Sequence, residues 1–302
     1  MDVPRPATFG AGSDPEISIR PSAGTVERVP YDAAAVASYF DQRGYEEWDR
    51  FDRSLGDRVS LAMHTEALER AVPRGSRVLE IGAGPGRFTE VLHRLGCTID
   101  VGDLSANQLA CNRALGESRG FATSVHAWHQ LDICDLAAFS DTSYDAVVAL
   151  GGPLSYVFDE RDRALAECRR VLRPGGVLVA SVMSLWGTTR RHLDEILGYG
   201  PEIPRAVTLS GDISEQTVPG STHHCHMYRA SELRELLERH DLADIRITAS
   251  SALSTGVASA LVASATPTWN TLLELERSAC VEPGYIDAGT HLIAVARRPD
   301  HD

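Results

Sequence analysis

No stretch of this sequence stays apolar for long. Residues 176–183 are among the longest such runs, far short of the roughly 18 to 20 residues that a membrane-spanning helix needs, so no membrane crossing is expected. Basic residues are also scarce: 29 Lys and Arg stand against 42 Asp and Glu, a formal charge of −13 with no basic run to relieve it. Such a surface repels a nucleic-acid backbone and favours a small neutral or cationic substrate. The six cysteines form no Cys-x-x-Cys pair, which argues against a disulfide framework or a cysteine-rich zinc site. They are expected to be reduced, most of them as small core residues. The opening Met-Asp-Val-Pro shows no basic segment followed by an apolar run, so a cytoplasmic protein is expected.

What is present is an alternation of strand and helix patterns. Residues 1–30 are rich in Pro, Gly and Ser without a period and read as a mobile arm. Two helical patterns fill 31–72. The chain then alternates: strand 77–81, a helix after Gly86, strand 98–101, a helix from Ser105 to about 119, strands near 124–130 and 144–150, a helix through Ala164, Leu165, Cys168, Val171 and Leu172, and strand 177–183. This order predicts a doubly wound α/β sheet, mostly parallel, in a single domain over 31–302. Residues 184–228 break the rhythm and read as an insertion on the substrate side, with a helix at 188–197 and a short strand at 224–228. A helix at 230–240, a strand at 243–249, a helical segment at 269–280 and a last strand at 291–296 complete the reading.

The most informative segment is Val78-Leu79-Glu80-Ile81-Gly82-Ala83-Gly84-Pro85-Gly86. A strand runs into three glycines at alternate positions and then into a helix, whose first N–H groups are free to meet a ligand. Dinucleotide folds share this plan, but their fingerprint is G-x-G-x-x-G. The spacing E-x-G-x-G-x-G resembles the first motif of class I S-adenosylmethionine-dependent methyltransferases, and the broad bacterial small-molecule group that includes the ubiquinone-biosynthesis enzymes is the nearest general likeness. The resemblance spans about residues 77–183 and implies the Rossmann-like methyltransferase fold, a seven-stranded sheet with an antiparallel strand near its C-terminal end. It also implies S-adenosylmethionine as cofactor and S-adenosylhomocysteine as product.

On that resemblance, Gly82, Ala83, Gly84 and Gly86 lie against the cofactor's methionine end, and Glu80 is a carboxylate suited to its ammonium group. Asp103 ends the second strand, where one carboxylate can accept from two ribose hydroxyls, with Leu104 beside it. Asp132 and Ile133 are candidates for holding the adenine. Leu150, Gly151 and Gly152 follow the fourth strand, where the sulfonium and its acceptor meet, while Asp145 at the start of that strand reads as structural. The N-terminal helices carry Tyr31, Tyr39, Phe40, Tyr45 and Trp48 in a chain only 6% aromatic. In related enzymes such helices form a lid, and Tyr39 and Tyr45 are the candidates to face the cleft.

Methyl transfer from a sulfonium needs alignment above all, with a base where a hydroxyl must lose its proton. Strand alternation in His223-His224-Cys225-His226-Met227-Tyr228 puts His224, His226 and Tyr228 on one face. His226 is the first candidate for base or substrate contact, followed by His224 and Tyr228. The alternate-face geometry argues against a metal cluster. His64 reads as a partly buried surface histidine. The expected function is methyl transfer to an oxygen, nitrogen or carbon of a small molecule by a monomer or homodimer. The alternatives are a protein of this fold that uses the bound cofactor for cyclisation or decarboxylation, one that only senses it, or a nicotinamide oxidoreductase.

Overall fold

The computed structural model describes residues 29–255 and 266–300. Most of the segment read as a mobile arm lies outside the described residues. Three helices lead in: α1 (Ala33–Asp41), α2 (Glu46–Asp49) and α3 (Leu55–Ala71). The Asp32 carboxylate caps α1 by accepting from Ala35 N at 3.0 Å, and the Ser54 hydroxyl caps α3 by accepting from Asp57 N at 3.1 Å, each meeting an N–H that the helix itself leaves open.

The expected alternation follows: β1 (Arg77–Ile81), α4 (Arg87–Arg94), β2 (Thr98–Asp103), α5 (Ala106–Arg119), β3 (Val125–Gln130), β4 (Tyr144–Ala149), α6 (Arg161–Val171) and β5 (Leu172–Met183). Ser105 caps α5. After the insertion come α10 (Ala230–Arg239), β8 (Ala243–Ala249), α11 (Thr266–Ala279) and β9 (His291–Arg297). The seven strands lie in the order β3-β2-β1-β4-β5-β9-β8. All neighbours pair in parallel except β9, which runs antiparallel to both β5 and β8. The order reverses between β1 and β4, and in open α/β sheets the crevice at the carboxyl ends of such strands is the ligand site.

Period-two alternation splits the sheet's two cores. Leu79, Ile81, Val147, Ala149, Leu178 and Ala180 pack on the side of α6 and α10. Val78, Ile99, Val101, Val148, Val177 and Val179 pack on the side of α4, with Val91 and Leu92. Glu80 shares the face of Val78, a placement with consequences at the site.

The insertion departs from its expected form. In place of one helix at 188–197 there are three: α7 (Leu185–Arg191), α8 (Leu193–Gly198) and α9 (Glu202–Ser210). The strand expected at 224–228 shrinks to β7 (Cys225–His226), which pairs with the two residues of β6 (Asp212–Ile213). Past β7 the chain turns away to the main sheet, where Tyr228 bridges to Ser184. Among the described residues no helix is long and apolar enough to cross a membrane, and no group of three or more His, Cys, Asp or Glu is placed to hold a metal ion.

Candidate active site

A cleft opens at the β1/β4 reversal, lined by the glycine loop, the ends of β2 and β4, and the N-terminal helices. Its floor is backbone. Gly82 has φ +66°, and a Cβ there would stand 2.5 Å from Pro153 Cγ, so the position needs glycine both for conformation and for space. Gly86, at φ +103°, packs against Phe121 in the same way. The loop is tied to β2 by Ala83 N donating to the Gly102 carbonyl at 3.1 Å and Gly84 N donating to Asp103 Oδ2 at 2.8 Å.

Asp103 stands where the spacing predicts. It lines the cleft, only 8% exposed, and its second oxygen accepts from Ser105 N at 2.9 Å. Burial raises its pKa to about 6, against the lowering effect of the two N–H donors, with Asp41 and Glu47 adding to the rise. Each oxygen holds one backbone donor and so retains capacity for a further one. Leu104, Asp132, Ile133, Leu150, Gly151 and the loop residues Gly82, Ala83 and Gly84 line the same cleft. Asp132 accepts from the Tyr31 hydroxyl at 3.0 Å and from Cys134 N at 2.8 Å. Asp145 accepts from Arg77 N at 2.7 Å and pairs with Arg173 at 2.5 Å, in line with its structural reading.

Several expected residues stand elsewhere. Gly86 and Gly152 adjoin the cleft without lining it. Glu80, on the face of Val78, turns toward α4 and accepts from the Thr89 hydroxyl at 2.7 Å. Its Oε1 has no hydrogen-bond partner among the described residues, and burial pushes its pKa up to about 8. Tyr45 is 53% exposed and does not reach the cleft. Tyr39 sits one layer behind, its ring stacked on His223 at 5.1 Å. Tyr31 and Phe40 line the cleft instead. On a helix each residue turns the side chain by about 100°, so sequence density locates an aromatic helix without saying which ring faces in.

The histidines are redistributed as well. His226 and Tyr228 do share a face, their rings 4.5 Å apart, but that face lies against α6 and α10 rather than the cleft. His226 is 2% exposed, with Nδ1 2.6 Å from Asp212 and Nε2 2.8 Å from Glu232. Burial alone would lower its pKa, and the two carboxylates outweigh that and raise it. Tyr228 is buried and donates to the Leu154 carbonyl at 3.0 Å. His224 donates from Nε2 to the Ser221 carbonyl at 2.8 Å. The histidine joined to a cleft residue is His223, whose Nε2 stands 3.1 Å from the Tyr156 hydroxyl. His64 is not at the surface: it is 1% exposed, its Nδ1 is 2.7 Å from the Ser60 carbonyl, and burial brings its pKa down to about 4.

Residues that no motif or period marks also line the cleft: Glu47, Arg50 and Phe51 from the N-terminal helices, Gln108 from α5, and Tyr156 after β4. Arg50 pairs with Glu47 at 3.2 Å. Gln108 ties the end of α1 to α5 by donating to the carbonyls of Phe40 at 2.9 Å and Gly44 at 3.1 Å.

Residues 79–180, which carry the loop and both strand ends, match the family model of a methyltransferase domain. That likeness to a methyltransferase domain is carried by this core, about a third of the chain. Outside that core the similarity is thinner. The chain is 29% identical over 186 residues to methyltransferase GfsG of Streptomyces halstedii, an alignment covering 54% of this chain and 64% of the relative. It is 35% identical over 138 residues to a phosphatidylethanolamine N-methyltransferase of Cereibacter sphaeroides, covering 45% and 64%. The chain therefore spans less than two thirds of the length of these relatives. Among solved structures, the fold is similar to a Burkholderia thailandensis 1,6-didemethyltoxoflavin-N1-methyltransferase holding its substrate and S-adenosylhomocysteine. There the TM-score is 0.55 at 17% identity, with 89% of each chain covered.

Proposed function

We propose that this protein binds S-adenosylmethionine in the β1/β4 cleft and transfers its methyl group to a small molecule. The observation that carries this reading is Asp103, a buried carboxylate at the end of β2 that lines the cleft, accepts from Gly84 N of the glycine loop and keeps acceptor capacity on both oxygens. The cleft combines apolar walls with a few polar groups, as small-molecule sites do, and the loop's own backbone leaves no side chain in the way. When bound, the cofactor supplies a methyl group already activated on a positively charged sulfur.

The chain's residues divide the remaining tasks. Asp103 accepts from the ribose hydroxyls, the backbone at 82–84 carries the methionine end, and Asp132 with Ile133 borders the base. Glu80 acts from behind the loop by holding Thr89 and thereby the start of α4. The helices over 31–72 serve as a lid and, with the insertion over 184–228, shape the acceptor side. Excluding water there strengthens every charge contact in the site. The acidic surface and the lack of basic runs favour a small acceptor over nucleic acid.

Calorimetric titration with S-adenosylmethionine and S-adenosylhomocysteine tests the reading, with one-to-one binding expected. Asp103→Asn, which replaces an acceptor with a donor, should weaken both ligands by roughly 10- to 100-fold, the loss of one or two charge-assisted hydrogen bonds. Because burial raises Asp103 to about 6, and hydroxyl donors favour its charged form, affinity should hold above that pH and fall as pH drops through it. A folded wild-type sample that binds neither ligand removes the proposal. Recovery of S-adenosylhomocysteine in step with a methylated product separates transfer from cyclisation, decarboxylation or sensing.

A further inference from the structure

The corner at Gly151 and Gly152, where β4 ends, is bracketed by two side chains that cofactor binding does not use. Tyr156 Cε2 comes within 3.5 Å of where a Cβ on Gly152 would stand, and Arg50 Nη2 lies 2.7 Å from the equivalent point on Gly151. Both residues line the cleft. Behind Tyr156 the rings of Phe40, Tyr39 and His223 close a cycle of contacts at 5.1 to 5.7 Å. A largely buried phenol hydroxyl must donate, and His223 is the acceptor within reach at 3.1 Å. On this assignment Nε2 accepts and Nδ1 carries the ring proton.

The charges around the pair are uneven. His223 is driven neutral, down to about 4, by burial and then by Arg43, with His224, Arg50 and His192 adding to it. Burial likewise holds the Tyr156 phenol well above its usual range. The corner thus offers the Arg50 guanidinium, whose Nε pairs with Glu47 while Nη2 points at Gly151, together with one hydroxyl and one neutral imidazole, set among aromatic edges that suit a flat ligand.

We propose that this corner binds the oxygen of a planar, acidic hydroxyl compound, a phenol or an enol, with Arg50 receiving the oxygen and Tyr156 taking its proton. The inference rests on the methyl-transfer reading, for which the resulting oxyanion is the nucleophile. The ligand's O–H bond breaks with both electrons left on oxygen beside the Arg50 guanidinium. Its proton passes to the Tyr156 oxygen as the phenol's own passes to His223 Nε2, and the imidazolium releases one proton to water. The anion forming beside Arg50 offsets the positive field that adds to burial in keeping His223 neutral, so the two proton movements support each other. Tyr156 is the catalytic residue here, and His223 is a positioning residue.

The probe is para-nitrophenol, whose anion absorbs visible light, titrated into the full chain with and without S-adenosylhomocysteine. Saturable one-to-one binding is expected, with the ionisation midpoint of the bound phenol lowered by at least a pH unit, a roughly tenfold shift toward the anion. Arg50→Gln should abolish most of that shift, while Tyr156→Phe and His223→Gln should each remove part of it. His226→Gln, outside the cleft, should leave it intact. No saturable binding, an unshifted midpoint, or a midpoint indifferent to both Arg50→Gln and the conservative Tyr156→Phe overturns the proposal. S-adenosylhomocysteine titration of the same samples reads the cofactor site separately, so loss of that binding with the phenol shift intact counts against the cofactor reading alone.

Discussion

On the cleft wall built by β1, β2 and β4, the glycine loop is held at the end of the neighbouring strand. Ala83 N and Gly84 N are tied to Gly102 and Asp103, and the strands beneath pair in unbroken parallel register from Arg77 to Ile81 against β2. The opposite wall, from the N-terminal helices and the insertion, is held by side chains reaching between distant segments: Tyr31 to Asp132, Gln108 to the end of α1, Tyr156 to His223, Arg191 to Asp57. The first wall needs glycine and strand geometry, which are local. The second needs pairs of side chains more than 60 residues apart, and each pair contributes modestly on its own. A rigid wall with a generic ligand therefore faces an adjustable wall on which specificity can change without disturbing the fold.

The most severe way to break that contrast is to disturb the rigid wall. Gly82→Ala forces a Cβ to within 2.5 Å of Pro153 at φ +66°. The left-handed backbone costs about 1–2 kcal/mol, and the displaced proline adds a comparable overpacking cost. Chemical denaturation should show a loss of ~2–4 kcal/mol, and affinity for S-adenosylhomocysteine should fall by roughly 100-fold or more. Retention of affinity within a few-fold would mean that the loop is not the rigid element described.

The same contrast explains how much could be read in advance. Asp103 and the glycine loop were legible because spacing along one strand, turn and helix determines them. The motif assigns Glu80 to the cofactor by residue type alone, while the two-residue period of β1 turns that side chain to Thr89. Among the aromatics, Tyr31 and Phe40 reach the cleft where Tyr39 and Tyr45 were expected. The docking of α1 through Asp41, which accepts from the Ser105 hydroxyl at 2.5 Å, sets its rotation, and no local pattern records that contact. Strand alternation favours His226 over His223 only if residues 224–228 form one continuous strand. Cys225 and His226 pair with β6 while Tyr228 bridges to the main sheet, and β6 follows α9, a helix outside the one expected at 188–197.

An intermediate effect sharpens the distinction between stability and chemistry on the adjustable wall. His226 joins β7 to α10 through Asp212 and Glu232, so His226→Gln should cost ~1–3 kcal/mol, the loss of buried charge-assisted hydrogen bonds, while leaving S-adenosylhomocysteine affinity unchanged. Its folded pKa is raised, burial notwithstanding, by the two carboxylates. The histidine's contribution is therefore fully present below its ordinary value of about 6.5 and is lost as pH rises through the higher folded value. Thermal melts of the two proteins should converge as pH rises above about 6.5. Melts that diverge over that range would assign the stabilisation to another group.

The smallest effect concerns the ion pair between Arg191 on α7 and Asp57 on α3, 2.8 Å apart and partly exposed. Such a pair loses most of its attraction to water and salt. A double-mutant cycle with Asp57→Asn and Arg191→Met should give a coupling of about 0.2–1 kcal/mol, and that coupling should shrink in high salt. Asp57→Asn alone also alters the first turn of α3, where the Ser54 hydroxyl meets Asp57 at 2.6 Å, so only the cycle isolates the link between the two elements. A small, salt-sensitive coupling means that the insertion is kept in place by the sum of many weak ties and can shift when an acceptor enters. A coupling above about 2 kcal/mol, insensitive to salt, would make this pair a rigid clamp and would move the insertion to the fixed side of the comparison.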